Sequence, residues 1–234
     1  MRKHIPNFIT LLNLVSGLTG LFFLASGRLH QACVMVMIAS FFDFFDGTVA
    51  RILGVSSNIG IELDSLGDLV SFGVLPGFVV FYMINGNSFS SVESWMPFVG
   101  FLIPVFAALR LARFNLDSTQ QSEFKGVPVP LMAWFFAALP LIDAEYGFPW
   151  LYSSWVLIIF TLVFCFLMVS KVPVLSLKFS DFSFRNNRAR YLLTLVAVVT
   201  AFALKTLAIP VVILLTLLFS VVEKYFLKTP DNVT

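Results

Sequence analysis

Long apolar stretches recur along the 234-residue chain, broken by short polar segments. A helix needs roughly 20 apolar residues to cross about 30 Å of hydrocarbon, and the sequence supplies such stretches again and again. Eight spans are predicted, at about 6–26, 30–50, 60–84, 96–114, 128–144, 149–169, 189–206 and 209–226. The expected fold is therefore an all-α integral membrane protein, with one membrane domain filling nearly the whole length. The longest polar segment, 171–190, is a connector and not a soluble domain. It divides a six-span unit over residues 1–188 from two further spans and a short tail over 189–234.

Composition agrees with the pattern. The chain is 59% hydrophobic and 12% charged, too little polar surface to cover a soluble globule. With the N-terminus placed in the cytoplasm, the 15 basic residues divide unevenly, and Arg28 and Lys205 alone fall outside. The loops at 85–93 and 143–148 contain neither Lys nor Arg, as translocated loops should. Both termini are expected in the cytoplasm, in a bacterial cytoplasmic membrane, with an archaeal lipid setting as the alternative. The scattered basic residues suit topology and anionic headgroups and give no patch for nucleic acid. Residues 1–4 followed by an apolar run mimic a secretory signal, but Asn7, Thr10 and Asn13 interrupt that run, which reads as a retained first span. Cys33 and Cys165 lie inside apolar runs and read as packing residues. Trp95, Trp134, Trp150 and Trp155 read as interfacial anchors.

Against this apolar background, Asp43, Asp46, Glu62, Asp64 and Asp68 stand out at the border of the second and third spans. A buried Asp costs about 2.5–3.5 kcal/mol at a helix centre, so a group of them needs water, metal or a cation. Asp43 and Asp46 are three residues apart and Asp64 and Asp68 four apart, so each pair projects from one helix face. The two faces together would make an oxygen-rich pocket at the cytoplasmic end. Such ligands suit two Mg²⁺ or Mn²⁺ ions, whereas zinc would favour the His or Cys that this cluster lacks. Two other readings stay open: helix-end aspartates that reach water, and the carboxylates of an ion- or proton-coupled transporter.

The full spacing is Asp43, two residues, Asp46-Gly47, two residues, Ala50-Arg51, eight residues, Gly60, three residues, Asp64, three residues, Asp68. This resembles the signature of the CDP-alcohol phosphotransferase family at all eight fixed positions. The resemblance implies a six-helix catalytic core, here with two C-terminal transmembrane helices added, and a homodimer. It implies metal ligation by Asp43, Asp46 and Asp64, with Asp68 as ligand or general base, and CDP-lipid binding along Gly47, Ala50, Arg51 and Gly60. Glycine permits close backbone approach, and Arg51 can pair with phosphate.

Residues 63–74, 108–115 and 124–130, with the N-terminal stretch 5–10, resemble the serine-using branch of that family. Gly67 departs from it, standing where alanine is more usual. The expected reaction moves the phosphatidyl group of CDP-diacylglycerol to L-serine, the close rivals being glycerol 3-phosphate or inositol phosphate as acceptor. Arg110, Arg113 and Lys125 are candidates for the acceptor carboxylate or a phosphate, with topology-setting as the alternative. Asn7, Thr10 and Asn13 form a stripe that either faces the nucleotide or makes packing hydrogen bonds. His4 and His30 read as surface residues.

Overall fold

The computed structural model describes residues 4–55, 57–86, 92–116, 126–170, 172, 200 and 203–222, and these are helical with no strand among them. Helix α1 (His4–Ala25) is followed by α2 (Leu29–Leu53). Next, α3 (Asn58–Asp68), a π-helical turn (Leu69–Val74) and α4 (Leu75–Asn85) run end to end. A 3-10 turn (Met96–Phe101) leads into α5 (Leu102–Leu116), and then come α6 (Val129–Tyr146), α7 (Ser154–Val169) and α8 (Ala208–Val222).

Among the described residues, five helical stretches are long and apolar enough to cross a membrane: α1, α2, Asn58–Asn85, Met96–Leu116 and α6. The apolar helices at Ser154–Val169 and Lys205–Ser220 are shorter. The chain is thus an integral membrane protein whose first six predicted spans each meet a helix. The predicted seventh span falls almost wholly outside the described residues, as do Lys125 and nearly all of the 171–190 connector.

The turn between α2 and α3 is written in local chemistry. Gly54 takes the left-handed conformation (φ 59°), and the α2 carbonyls of Ala50 and Arg51 are capped there by backbone N–H groups. Ser57 is extended, and its Oγ accepts from the Gly60 N–H at 3.0 Å, starting α3. A helical stop and start within four residues returns the chain on the same side. The 28-residue stretch Asn58–Asn85 is about 42 Å long at 1.5 Å per residue, some 12 Å more than the hydrocarbon.

Helix α1 is the strut on which the first half is assembled. Both α2 and α3 pack mainly on α1, not on each other. Gly17 and Gly20 allow this closeness, because a Cβ at Gly17 would collide with Ser71 of the π turn and one at Gly20 with Leu75 of α4. Between α4 and the 3-10 turn, a Cβ on Gly77 would lie 2.9 Å from the Gly100 carbonyl oxygen. The second half is apolar and aromatic: α6 buries Met132, Phe135, Phe136, Leu139 and Ile142. The Phe135 and Phe164 rings pack at 4.5 Å between centroids.

Cys33 and Cys165 are buried and unbridged, and His4 and His30 are exposed. Trp95, Trp150 and Trp155 are exposed enough to serve as anchors. Trp134 is different. It lies within α6 and donates from Nε1 to Ser40 Oγ of α2 at 2.7 Å. An indole buried against another helix needs an acceptor, and Ser40 supplies it across a distance in sequence that hydropathy does not register.

Candidate active site

The hairpin brings the two carboxylate pairs together. Asp43 and Asp46 occupy the last turns of α2, and Asp64 and Asp68 lie on α3. Asp43, Asp64 and Asp68 each offer an oxygen, and the three atoms lie within 4.8 Å of one another. Asp46, 6% exposed, flanks this triad and lines a cavity of about 190 Å³. Pro6, Asn7 and Thr10 of α1 floor the cavity. Its walls are Asp46, Gly47 and Ala50 on one side and Gly60, Ile61 and Asp64 on the other, with Val55 and Ser57 at the turn. Because α2 and α3 both lean on α1, a gap remains between them, and the acids border that gap.

The small residues of the signature shape this cavity. A Cβ on Gly60 would come within 2.9 Å of both Asn7 Oδ1 and Ser57 Oγ, so a side chain there would crowd the polar lining. By contrast, a Cβ on Gly67 would meet Asn13 and Thr10 at 3.6 Å, ordinary contact. The departure from alanine at Gly67 is therefore sterically neutral. Thr10 lies beside Asp46 and donates to the Pro6 carbonyl at 3.1 Å. Asn13, though on the same stripe as Asn7 and Thr10, does not line the cavity. Its Nδ2 donates to Asp68 Oδ1 at 3.0 Å.

The basic candidates separate. Arg110 is half-buried on α5 within electrostatic reach of Asp68, and its Nε has no hydrogen-bond partner. Arg113, one turn on, is exposed. Arg51 is also exposed, one residue beyond the cavity wall at Ala50, and donates from Nη2 to Thr48 Oγ1 at 3.1 Å. Lys125 lies outside the described residues.

Two further contacts come from residues that spacing did not single out. Ser71 Oγ donates to the Asn13 carbonyl at 2.9 Å, fastening the π turn to α1. Asn115 Nδ2 donates to Ser65 Oγ at 3.0 Å, tying the end of α5 to α3 beside Asp64. Asn115 stands in the stretch that carries the family resemblance, which was its one signal.

Four neighbouring carboxylates carry more negative charge than Arg110 can neutralise. Asp46 Oδ2 and Asp64 Oδ1 are buried with no hydrogen-bond partner, an arrangement that costs free energy until a cation or donor meets them. The donor set is all oxygen, with no His or Cys in the triad, so these residues fit a hard divalent cation such as Mg²⁺ or Mn²⁺.

Within an apolar helical bundle, acids gathered around a small cavity between the end of α2 and the start of α3 make a site equipped for chemistry on charged groups. The family described as CDP-alcohol phosphatidyltransferase matches residues 3–167, and the chain belongs to it. Among curated relatives, the chain is 30% identical over 225 residues to a CDP-diacylglycerol–serine O-phosphatidyltransferase of Helicobacter pylori, covering 95% of this chain and 91% of that protein. It is 34% identical over 174 residues to the Bacillus subtilis protein of the same name, covering 73% and 89%. A third of that name, from Mycobacterium leprae, is 34% identical over 177 residues, covering 73% of this chain. The match spans 57% of that longer relative.

Proposed function

We propose that the chain transfers the phosphatidyl group of CDP-diacylglycerol to the hydroxyl of L-serine, giving phosphatidylserine and CMP. The observation that carries this reading is the convergence of Asp43, Asp64 and Asp68 beside a cavity walled by Asp46-Gly47, Ala50 and Gly60. Family membership favours a transferase over an ion-coupled carrier, and the names of the relatives favour serine.

In this reading the cavity takes the CDP moiety. Gly47, Ala50 and Gly60 permit close approach, Asn7 and Thr10 offer polar contacts from the floor, and Arg51 reaches phosphate from the rim. Asp43, Asp46, Asp64 and Asp68 would hold two Mg²⁺ or Mn²⁺ ions, which would supply positive charge to offset that on the reacting phosphate. Asp68 takes the proton of the serine hydroxyl as its oxygen bonds to phosphorus and the bond from phosphorus to CMP breaks. Arg110 holds the serine carboxylate, its buried Nε being a donor in want of an acceptor. Arg113 serves as an outer basic residue on that side, and Lys125 is a further candidate for the acceptor carboxylate or a phosphate.

The remaining organisation follows the same proposal. Residues 1–188 form the catalytic domain, and 189–234 add two spans for a total of eight. The protein is a homodimer in a bacterial cytoplasmic membrane, with the site and both termini on the cytoplasmic side. There an insoluble donor meets a soluble acceptor.

The test is to incubate the purified protein with CDP-diacylglycerol and Mg²⁺ or Mn²⁺, adding L-serine, glycerol 3-phosphate or inositol phosphate in separate reactions. Serine-dependent CMP release with formation of phosphatidylserine is expected. Release with another acceptor alone would move the reading to that alcohol, and no release with any acceptor would overturn it.

A further inference from the structure

We infer that Asn13 is the positioning residue of Asp68, gripping the helix on which the proposed general base sits at two points. Asn13 is 0% exposed, on the face of α1 that meets the π turn. Its side-chain Nδ2 donates to Asp68 Oδ1 at 3.0 Å, and its main-chain carbonyl accepts from Ser71 Oγ at 2.9 Å. Asp68 is the last residue of α3 and the π turn begins at Leu69, so the two grips straddle the point where the helix changes pitch. Such turns are wider than α-helix and persist where tertiary contacts hold them. The neighbouring Gly17 has no room for a Cβ against Ser71, so α1 is drawn close enough for both bonds to form.

The chemistry of the partners fixes the amide orientation. A carboxylate accepts and does not donate, so Nδ2 must face it, while Asn13 Oδ1 has no partner. A hydrogen bond to a buried carboxyl oxygen is directional. It limits rotation of the Asp68 carboxyl group, which also belongs to the triad with Asp43 and Asp64. Asn7 and Thr10 line the cavity, whereas Asn13 meets the reaction only through Asp68.

This inference rests on the proposed role of Asp68, and the experiment separates the two. Turnover, donor KM and CMP affinity are measured for the wild type, Asn13→Ala, Asp68→Asn and the double variant. Asn13→Ala should lower kcat by about 10–100-fold, as for supporting residues behind a metal site. Donor KM and CMP affinity should stay within about twofold, and adding Asn13→Ala to Asp68→Asn should lower kcat by less than about threefold more. Ser71→Ala, which removes the second grip, should give a smaller kcat loss of the same kind. A rise in donor KM larger than the fall in kcat would return Asn13 to the nucleotide site, and fully additive losses would show action apart from Asp68. Either outcome overturns the inference. If Asn13→Ala does not fold, Asn13→Leu, close in size but without the donor, is judged by the same criteria. A wild type that releases no CMP sinks both the functional reading and this inference; an active wild type with an unaffected Asn13→Ala sinks the inference alone.

Discussion

Acidic side chains at opposite ends of the bundle are handled in opposite ways. At the end of α6, Glu145 pairs with Lys205 at 3.0 Å and accepts from the Thr206 hydroxyl and backbone N–H. Tyr146 beside it donates to the Leu204 carbonyl at 2.8 Å. That cluster is complete within the protein and fastens the start of the C-terminal helix to α6. At the other end, Asp43, Asp64 and Asp68 crowd together with Asp46 alongside, and two of their buried oxygens have no partner. A protein that needed these acids only for structure could have paired them as it paired Glu145. Leaving them acid-rich keeps a capacity for cations that come from outside the chain.

Substitutions should expose this contrast, and the largest effect is expected at Asp68. Asp68→Asn preserves size and the bond from Asn13 but removes the base, so turnover should fall by about 10²–10⁴-fold while CMP binding persists. Near-normal turnover would reject the assignment. Arg110→Gln should raise the serine KM by about 10–100-fold, the worth of one charge-assisted hydrogen bond, while Arg113→Gln changes it far less. Equal effects at the two arginines would mean that the difference in burial has no functional meaning. Smallest is Glu145→Gln, which should leave kcat and both KM values unchanged and lower the melting temperature slightly. A loss of activity there would show that the pairing of Glu145 with Lys205 is not merely structural.

The part of the site that is legible in sequence is the part written within single helices. Intervals of three and four residues place Asp43 with Asp46 and Asp64 with Asp68 on common faces, and Gly47, Ala50 and Gly60 mark where a ligand needs room. The hairpin that joins the pairs is held by local capping at Gly54 and Ser57, two residues that the spacing of the acids does not single out. What spacing cannot convey is how helices meet. The role of α1 as floor, the bond from Asn13 to Asp68 and the contact of Trp134 with Ser40 each depend on partners dozens of residues away. The π turn is hidden for the same reason. Leu69–Val74 reads as ordinary helix, and Ser71 and Gly73 acquire their purpose only against α1 and α5. Arg110 and Arg113 look equivalent at an interval of three, and packing alone separates a half-buried guanidinium from an exposed one.

The central claim, that the acids of α2 and α3 jointly hold divalent cations, is tested most directly by counting Mn²⁺ bound to the purified protein by electron paramagnetic resonance. The wild type should bind about two ions per chain, Asp43→Asn and Asp64→Asn should each bind fewer and more weakly, and Glu145→Gln should match the wild type. Equal Mn²⁺ binding by all four proteins, or none by the wild type, would contradict the account.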